Sequence, residues 1–156
     1  MTAVEPKAIV REIHIAATPD EVFPYFTDAE KMVVWKAVGA ELDARPGGDF
    51  RIDVTGDGDV ARGAYLEIER PHRVVFSWGW EKDGAALPAG STVVEVTLEP
   101  AGDGTLLRLV HRGVSDESQD RSAAGWDHYL ARLALAAAGR DPGPDPWART
   151  RTAEIR

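Results

Sequence analysis

The chain contains no cysteine, which excludes disulfides, a thiol nucleophile and metal sites built on thiolates, so stability has to come from packing. It lacks any run near the ~20 consecutive apolar residues that span a bilayer. Its opening, MTAVEPKAIV, lacks the basic and then apolar order of a secretory leader. A cytoplasmic location without membrane insertion is the expectation. Positive charge is in deficit, with 18 Lys and Arg against 26 Asp and Glu and a formal charge of -8. Such a field repels phosphate backbones, so nucleic acid is not an expected partner. Histidine is scarce, and no two of the 4 have the i, i+4 spacing of a helical metal site. Asp57 and Asp59 suggest calcium, but their loop lacks the other acidic ligands and the terminal glutamate of a calcium loop. No metal and no cofactor is expected. Internal repeats, a glycine-rich phosphate loop and a serine in a nucleophile elbow are absent too.

What remains is ordinary globular material: 156 residues, 44% of them hydrophobic and 28% charged, enough for one core. Residues 7–17 alternate, with Ile9, Ile13 and Ile15 on one face and Glu12 and His14 on the other, as a strand does. Thr18-Pro19-Asp20-Glu21 then spells a capping box with proline in the first helical turn. Pro24 keeps that helix short, and Asp28 caps a second one running to about Trp35.

From residue 38 to 113 strand follows strand, divided by Gly, Pro and Asp turns. With charged residues kept in water, the inward sets are Val38, Ala40 and Leu42; Phe50, Ile52 and Val54; Ala64, Leu66 and Ile68; Val74, Phe76, Trp78 and Trp80; Val94, Val96 and Leu98; and Leu107, Leu109 and His111. Short connections make the sheet antiparallel. One apolar sheet face needs a cover, and the only long helical pattern left spans about residues 116–138. Its Ser122, Ala123, Trp126, Tyr129, Leu130, Leu133 and Ala137 fall on one side, with Asp127, His128 and Arg132 on the other. Gly139 ends it, and the proline-rich run after Asp141 is an extended strap or is loose. The class is α+β, with residues 1–6 as a tail, 7–139 as the domain and 140–156 as a second tail.

The order of elements, a strand, two short helices, six strands and a long terminal helix, resembles the helix-grip fold of START-like lipid-transfer, polyketide-cyclase and pollen-allergen proteins. Several stretches resemble the branch named after the activator of heat shock protein 90 ATPase: Ala17-Thr18-Pro19-Asp20-Glu21-Val22-Phe23, Pro46-Gly47-Gly48-Asp49-Phe50, Gly63-Ala64-Tyr65-Leu66-Glu67-Ile68, and His111-Arg112-Gly113 with Gly125-Trp126. The resemblance covers about residues 7–139 and implies a sheet of about seven strands curved around the long helix. One departure stands out: Lys36 follows Trp35 where the branch has an apolar residue, which alters one wall of any pocket.

Such a fold implies a cavity between sheet and helix. Trp35, Trp78, Trp80 and Trp126 are candidates for its floor, or they fill the space as core. Phe50, Leu66 and Phe76 from the sheet, with Tyr129, Leu130 and Leu133 from the helix, complete the expected lining. His111 is the one titratable side chain that alternation places inward on the six later strands. It could orient a ligand carbonyl or act as an acid or base, or it is a strand-end histidine bonded to a neighbouring carbonyl. Arg51 and Tyr65 fall on the outward face unless a bulge reverses them, and His14, His72 and His128 read as exposed. The opening is expected near the small helices and residues 84–90.

A dry pocket of ~300 Å³ would cost about 7 kcal/mol at ~24 cal/mol per Å³, comparable to a domain's whole stability. Side chains must fill it, or ligand and water must. The expected function is binding of a small hydrophobic molecule, apolar or aromatic, by a monomer or homodimer. The alternatives are a polyketide cyclase-like enzyme using the same pocket, and a chaperone-accessory module binding protein.

Overall fold

Seven antiparallel strands form one bent sheet in the order β1-β7-β6-β5-β4-β3-β2, in a computed structural model that describes residues 8–148. The strands are β1 (Ile9–Ile15), β2 (Gly39–Leu42), β3 (Asp49–Asp53), β4 (Val60–Glu69), β5 (Arg73–Trp78), β6 (Thr92–Ala101) and β7 (Gly104–Arg112). Two short helices, α1 (Pro19–Val22) and α2 (Ala29–Trp35), lie between β1 and β2, and α3 (Gln119–Ala137) follows β7. The 1–6 tail and the end of the C-terminal segment lie outside the described residues. No helix among the described residues is long and apolar enough to cross a membrane.

Local chemistry sets the small helices. Thr18 Oγ1 accepts from the Glu21 amide at 3.3 Å while Glu21 Oε1 accepts from the Thr18 amide at 2.8 Å, the reciprocal pair of a capping box. Pro24 then sits in a turn of 3-10 helix, Phe23–Phe26, and Asp28 caps α2 through the Glu30 amide at 2.9 Å.

The sheet's inner face is continuous across strands. Ile9 pairs with His111, His111 with Val94, Val94 with Phe76 and Phe76 with Tyr65, so one row of inward side chains crosses five strands. α3 lies over this face, burying Trp126, Tyr129, Leu130 and Leu133. A single 3-10 turn, Asp116–Ser118, leads into it. On its outer side Asp127 pairs with Arg11 of β1 at 2.6 Å.

The alternation read from sequence fails on β4. Leu66, assigned to the pocket lining, is 46% exposed, whereas Tyr65, assigned outward, is fully buried. The cause is a bulge: Tyr65 pairs with Phe76 but Glu67 pairs with Val75, so Leu66 is an extra residue that reverses the faces on either side of it. Ala61 and Tyr65 point inward before the bulge, and Ile68 packs against the core after it. Tyr65 also donates its hydroxyl to the Phe26 carbonyl at 2.7 Å, tying the sheet to the small helices. Val38, read as inward, precedes β2 and is exposed. Arg51 does face out, in an ionic cluster with Glu41 and Glu81.

Substitutions at the bulge should differ sharply in urea denaturation. Tyr65→Ala is expected to cost about 3–5 kcal/mol, as for a buried aromatic, and Leu66→Ser within about 0.5 kcal/mol of the wild type. Equal losses at the two positions would contradict the reversed faces.

Candidate functional site

A cavity of about 530 Å³ opens between the first half of α3 and the end of the sheet that carries the β3–β4 and β5–β6 loops. The backbone makes room for it at Gly79. A Cβ there would stand 1.7 Å from the Pro88 carbonyl oxygen, so only glycine allows the two strands of chain to touch. Trp80 donates its amide to the Leu87 carbonyl at 2.8 Å. This closure brings residues 82–87 to the rim and aims Trp78 and Trp80 at the cavity from either side of Gly79. A dry void of 530 Å³ would forfeit about 13 kcal/mol. That rivals the stability of an entire domain, so the space belongs to solvent or to a ligand.

His111 and Trp126 join the two walls. Trp126 Nε1 donates to His111 Nδ1 at 3.0 Å, and His111 Nε2 lies 2.8 Å from Thr92 Oγ1, which donates to the Trp78 carbonyl at 2.7 Å. An indole nitrogen only donates, so Nδ1 is the acceptor and the imidazole is neutral with its proton on Nε2. Burial, and next the charge of Lys36, push the His111 pKa down to about 4. Both ring nitrogens are engaged within the protein, and the residue acts as a neutral pillar that fixes the angle of Trp126.

Lys36 is the unusual group. It follows α2, is only 5% exposed, and lines the cavity. Its Nζ lies 4.1 Å from the ring centre of Tyr129, 4.5 Å from Trp126, 4.9 Å from Trp78 and 6.0 Å from Trp35. These rings stabilise a cation through their faces. No carboxylate among the described residues lies within the 4.0 Å of an ion pair with it, and it makes no hydrogen bond to them. Burial pushes its pKa down to about 7, with Asp145 pulling weakly the other way. Tyr129 beside it has a buried hydroxyl near the Asp145 carboxylate; burial, then that carboxylate, push its pKa up.

The proline-rich segment after α3 is a strap. Arg132 donates from Nε to the Trp35 carbonyl at 3.0 Å and from its terminal nitrogens to Pro142 and Gly143 carbonyls at 3.3 and 3.0 Å. One guanidinium thus anchors the strap and holds the backbone next to Lys36. His128, read as exposed, is half-buried: Nε2 meets Asp145 Oδ1 at 2.7 Å and its ring stacks on Trp147 at 3.8 Å. Trp147, 50% exposed, reaches the cavity.

Of the residues proposed from sequence, Trp78, Trp80, His111, Trp126 and Tyr129 come together around the cavity. Trp35, Phe50, Phe76, Leu130 and Leu133 instead make the solid core beside it. Phe50 and Phe76 stack at 4.3 Å, and Trp35 donates to the Tyr25 carbonyl at 3.0 Å. Leu66 is on the other face. The sequence reading missed Val54, Leu87 and Trp147 as lining; a lone tryptophan in a polar, proline-rich tail was the available signal for the last. Of the expected 84–90 loop, Gly84 to Leu87 line the cavity, Lys82 and Asp83 join them from just before it, and the small helices contribute only the lysine that follows them.

A curved antiparallel sheet gripping one long helix, with a cavity between the two, defines the helix-grip class of the START-like superfamily. The family model described as Activator of Hsp90 ATPase homolog 1-like protein matches residues 16–138, and the chain belongs to that family. Among solved structures it is similar to an AHSA1-like protein from Rhizobium etli, with 44% identity over 97% of this chain and 95% of that one and a TM-score of 0.71. CalU16 from Micromonospora echinospora has 30% identity over 84% of this chain and 76% of its own, with a TM-score of 0.69. The Aha1 dimer from Colwellia psychrerythraea, at 15% identity over 85% of this chain and 97% of that one, is a likeness of fold alone, with a TM-score of 0.72. No curated protein matches the chain.

Two pH effects follow. The His111 pKa is lower folded than unfolded, so the unfolded chain binds the extra proton and stability falls as pH drops from about 6.5 to about 4. Wild type is expected to lose about 3 kcal/mol more over that window than His111→Gln, read by chemical denaturation at each pH. The Lys36 pKa is also lowered, so its buried charge opposes folding most below about pH 7 and ceases to do so as pH approaches about 10.4. Lys36→Met should therefore raise stability by on the order of 2 kcal/mol at about pH 6, with the gap narrowing at high pH. A destabilised Lys36→Met would contradict an unpaired ammonium.

Proposed function

We propose that this domain binds a small apolar or aromatic molecule in the cavity between α3 and the sheet. The single observation that carries the reading is the wall itself: Trp78, Trp80, Trp126 and Tyr129 converge on a space of about 530 Å³, within the ~300–1,000 Å³ of small-molecule sites. Aromatic walls supply large, rigid, apolar area, and burial of ligand surface there contributes roughly 25 cal/mol per Å² before the losses of association. The Trp126–His111–Thr92 chain of hydrogen bonds holds those walls in place without a ligand, which lowers the ordering that binding requires.

The cyclase-like alternative, as read from the sequence, makes His111 its acid or base near neutral pH. His111 is a poor one, because its nitrogens are spent on Trp126 and Thr92 and its pKa lies far down. A binding role suits the same atoms better.

The test is quenching of tryptophan fluorescence by an uncharged bicyclic aromatic, naphthalene-2-carboxamide. Saturable quenching is expected, with affinity falling about tenfold or more in Trp78→Leu and Trp126→Leu. Phe76→Leu, in the solid core, should leave it within about threefold after correction for folded fraction. Unchanged affinity in both tryptophan variants would remove the cavity from the explanation.

A further inference from the structure

One wall of the cavity is aromatic, yet a charged group is buried against it. We propose that the molecule held there carries a carboxylate on an aromatic or alicyclic body, and that Lys36 Nζ is the group that binds it. This deepens the ligand-binding reading above and rests on it.

Three features of the cavity converge on this. The first is the missing partner. An ammonium offers three donors, and Lys36, though almost fully buried, makes no hydrogen bond or ion pair with the described residues. Buried charges are ordinarily paired, and the rings of Trp78, Trp126 and Tyr129 at 4.1 to 4.9 Å present only their π-faces. The donors are left for whatever fills the cavity that Lys36 lines.

The second is the sign of the surroundings. The chain as a whole carries -8, but the described cavity lining holds Lys36, Lys82 and Arg121 against Asp59 and Asp83. In an acidic protein, Lys82 and Arg121 balance Asp59 and Asp83 in this lining, which leaves the buried Lys36 as its one unbalanced charge. The groups facing Lys36 do not cancel it. His111 of β7 is neutral, Tyr129 of α3 keeps its proton, and Asp145 of the strap is engaged by His128 and the Trp147 amide.

The third is stoichiometry. One buried ammonium balances one negative charge, which is that of a single carboxylate. Tryptophan and tyrosine faces flank that charge, with Val54 and Leu87 further along the wall, so the remainder of the ligand is apolar. The lowered Lys36 pKa agrees with this: an amine close to half protonated at neutral pH gains its full charge when a carboxylate arrives.

The experiment compares naphthalene-2-carboxylate with naphthalene-2-carboxamide, which share shape and differ by one charge, by tryptophan quenching of the full chain at about pH 6 and about pH 9. Wild type is expected to prefer the carboxylate by about tenfold or more at the lower pH, and by less at the higher one as Lys36 loses its proton. Lys36→Met, compared at equal folded fraction, should lose that preference. Equal affinities for acid and amide in wild type, or an undiminished preference in Lys36→Met, would overturn the role of Lys36 and leave the apolar cavity standing. Binding of neither compound would overturn both.

Discussion

The hydrogen bond from Trp126 Nε1 to His111 Nδ1 links the long helix to the sheet at the edge of the cavity, and the site's geometry depends on it. A helix laid on an apolar sheet can slide, because hydrophobic contact has no direction. One indole donor meeting one buried imidazole acceptor does have direction. It sets how far Trp126 stands from Trp78, with ring centres 5.6 Å apart, and hence the width of the aromatic wall. The condition is that His111 remain neutral, which burial enforces. A residue type usually read as a proton carrier serves here because it stays uncharged.

Lys36 shows the opposite economy. A buried ammonium opposes folding, as a methionine of similar length would not. The surrounding rings reduce that opposition without supplying an anion. The neighbouring backbone is also held with care, since Arg132 fixes the Trp35 carbonyl while anchoring the strap. Strap, helix and α2 therefore meet around one cation, and Trp147 extends the aromatic surface from the strap to the cavity. Features that reduce stability tend to persist where a site uses them.

Much of this was legible before any coordinates. The capping box at Thr18, the strand alternation from Phe50 to Val54 and from Val94 to Leu98, and the helical stripe of Trp126, Tyr129, Leu130 and Leu133 are local patterns, and the sequence holds local information directly. The β4 assignment failed because a bulge is decided by pairing with β5, and nothing in Tyr65-Leu66-Glu67 announces which residue will be extra. The eleven candidate residues divided for a similar reason. Facing inward is a property of a strand, but facing a void depends on where the helix stops filling the space. Phe50 and Phe76 stack on each other, and Trp78, two residues along the same face, lines the cavity.

The sequence alone determined an acidic, cysteine-free α+β chain with one apolar sheet face, one covering helix and an odd lysine after Trp35, because periodicity, capping and composition are written residue by residue. Only the tertiary structure decided which aromatic rings enclose Lys36, which nitrogen of His111 carries the proton, and that the proline-rich strap returns to the site. Those outcomes depend on distances between residues far apart in the chain, such as Lys36 and Tyr129, and such distances exist only once sheet, helix and strap have closed on one another.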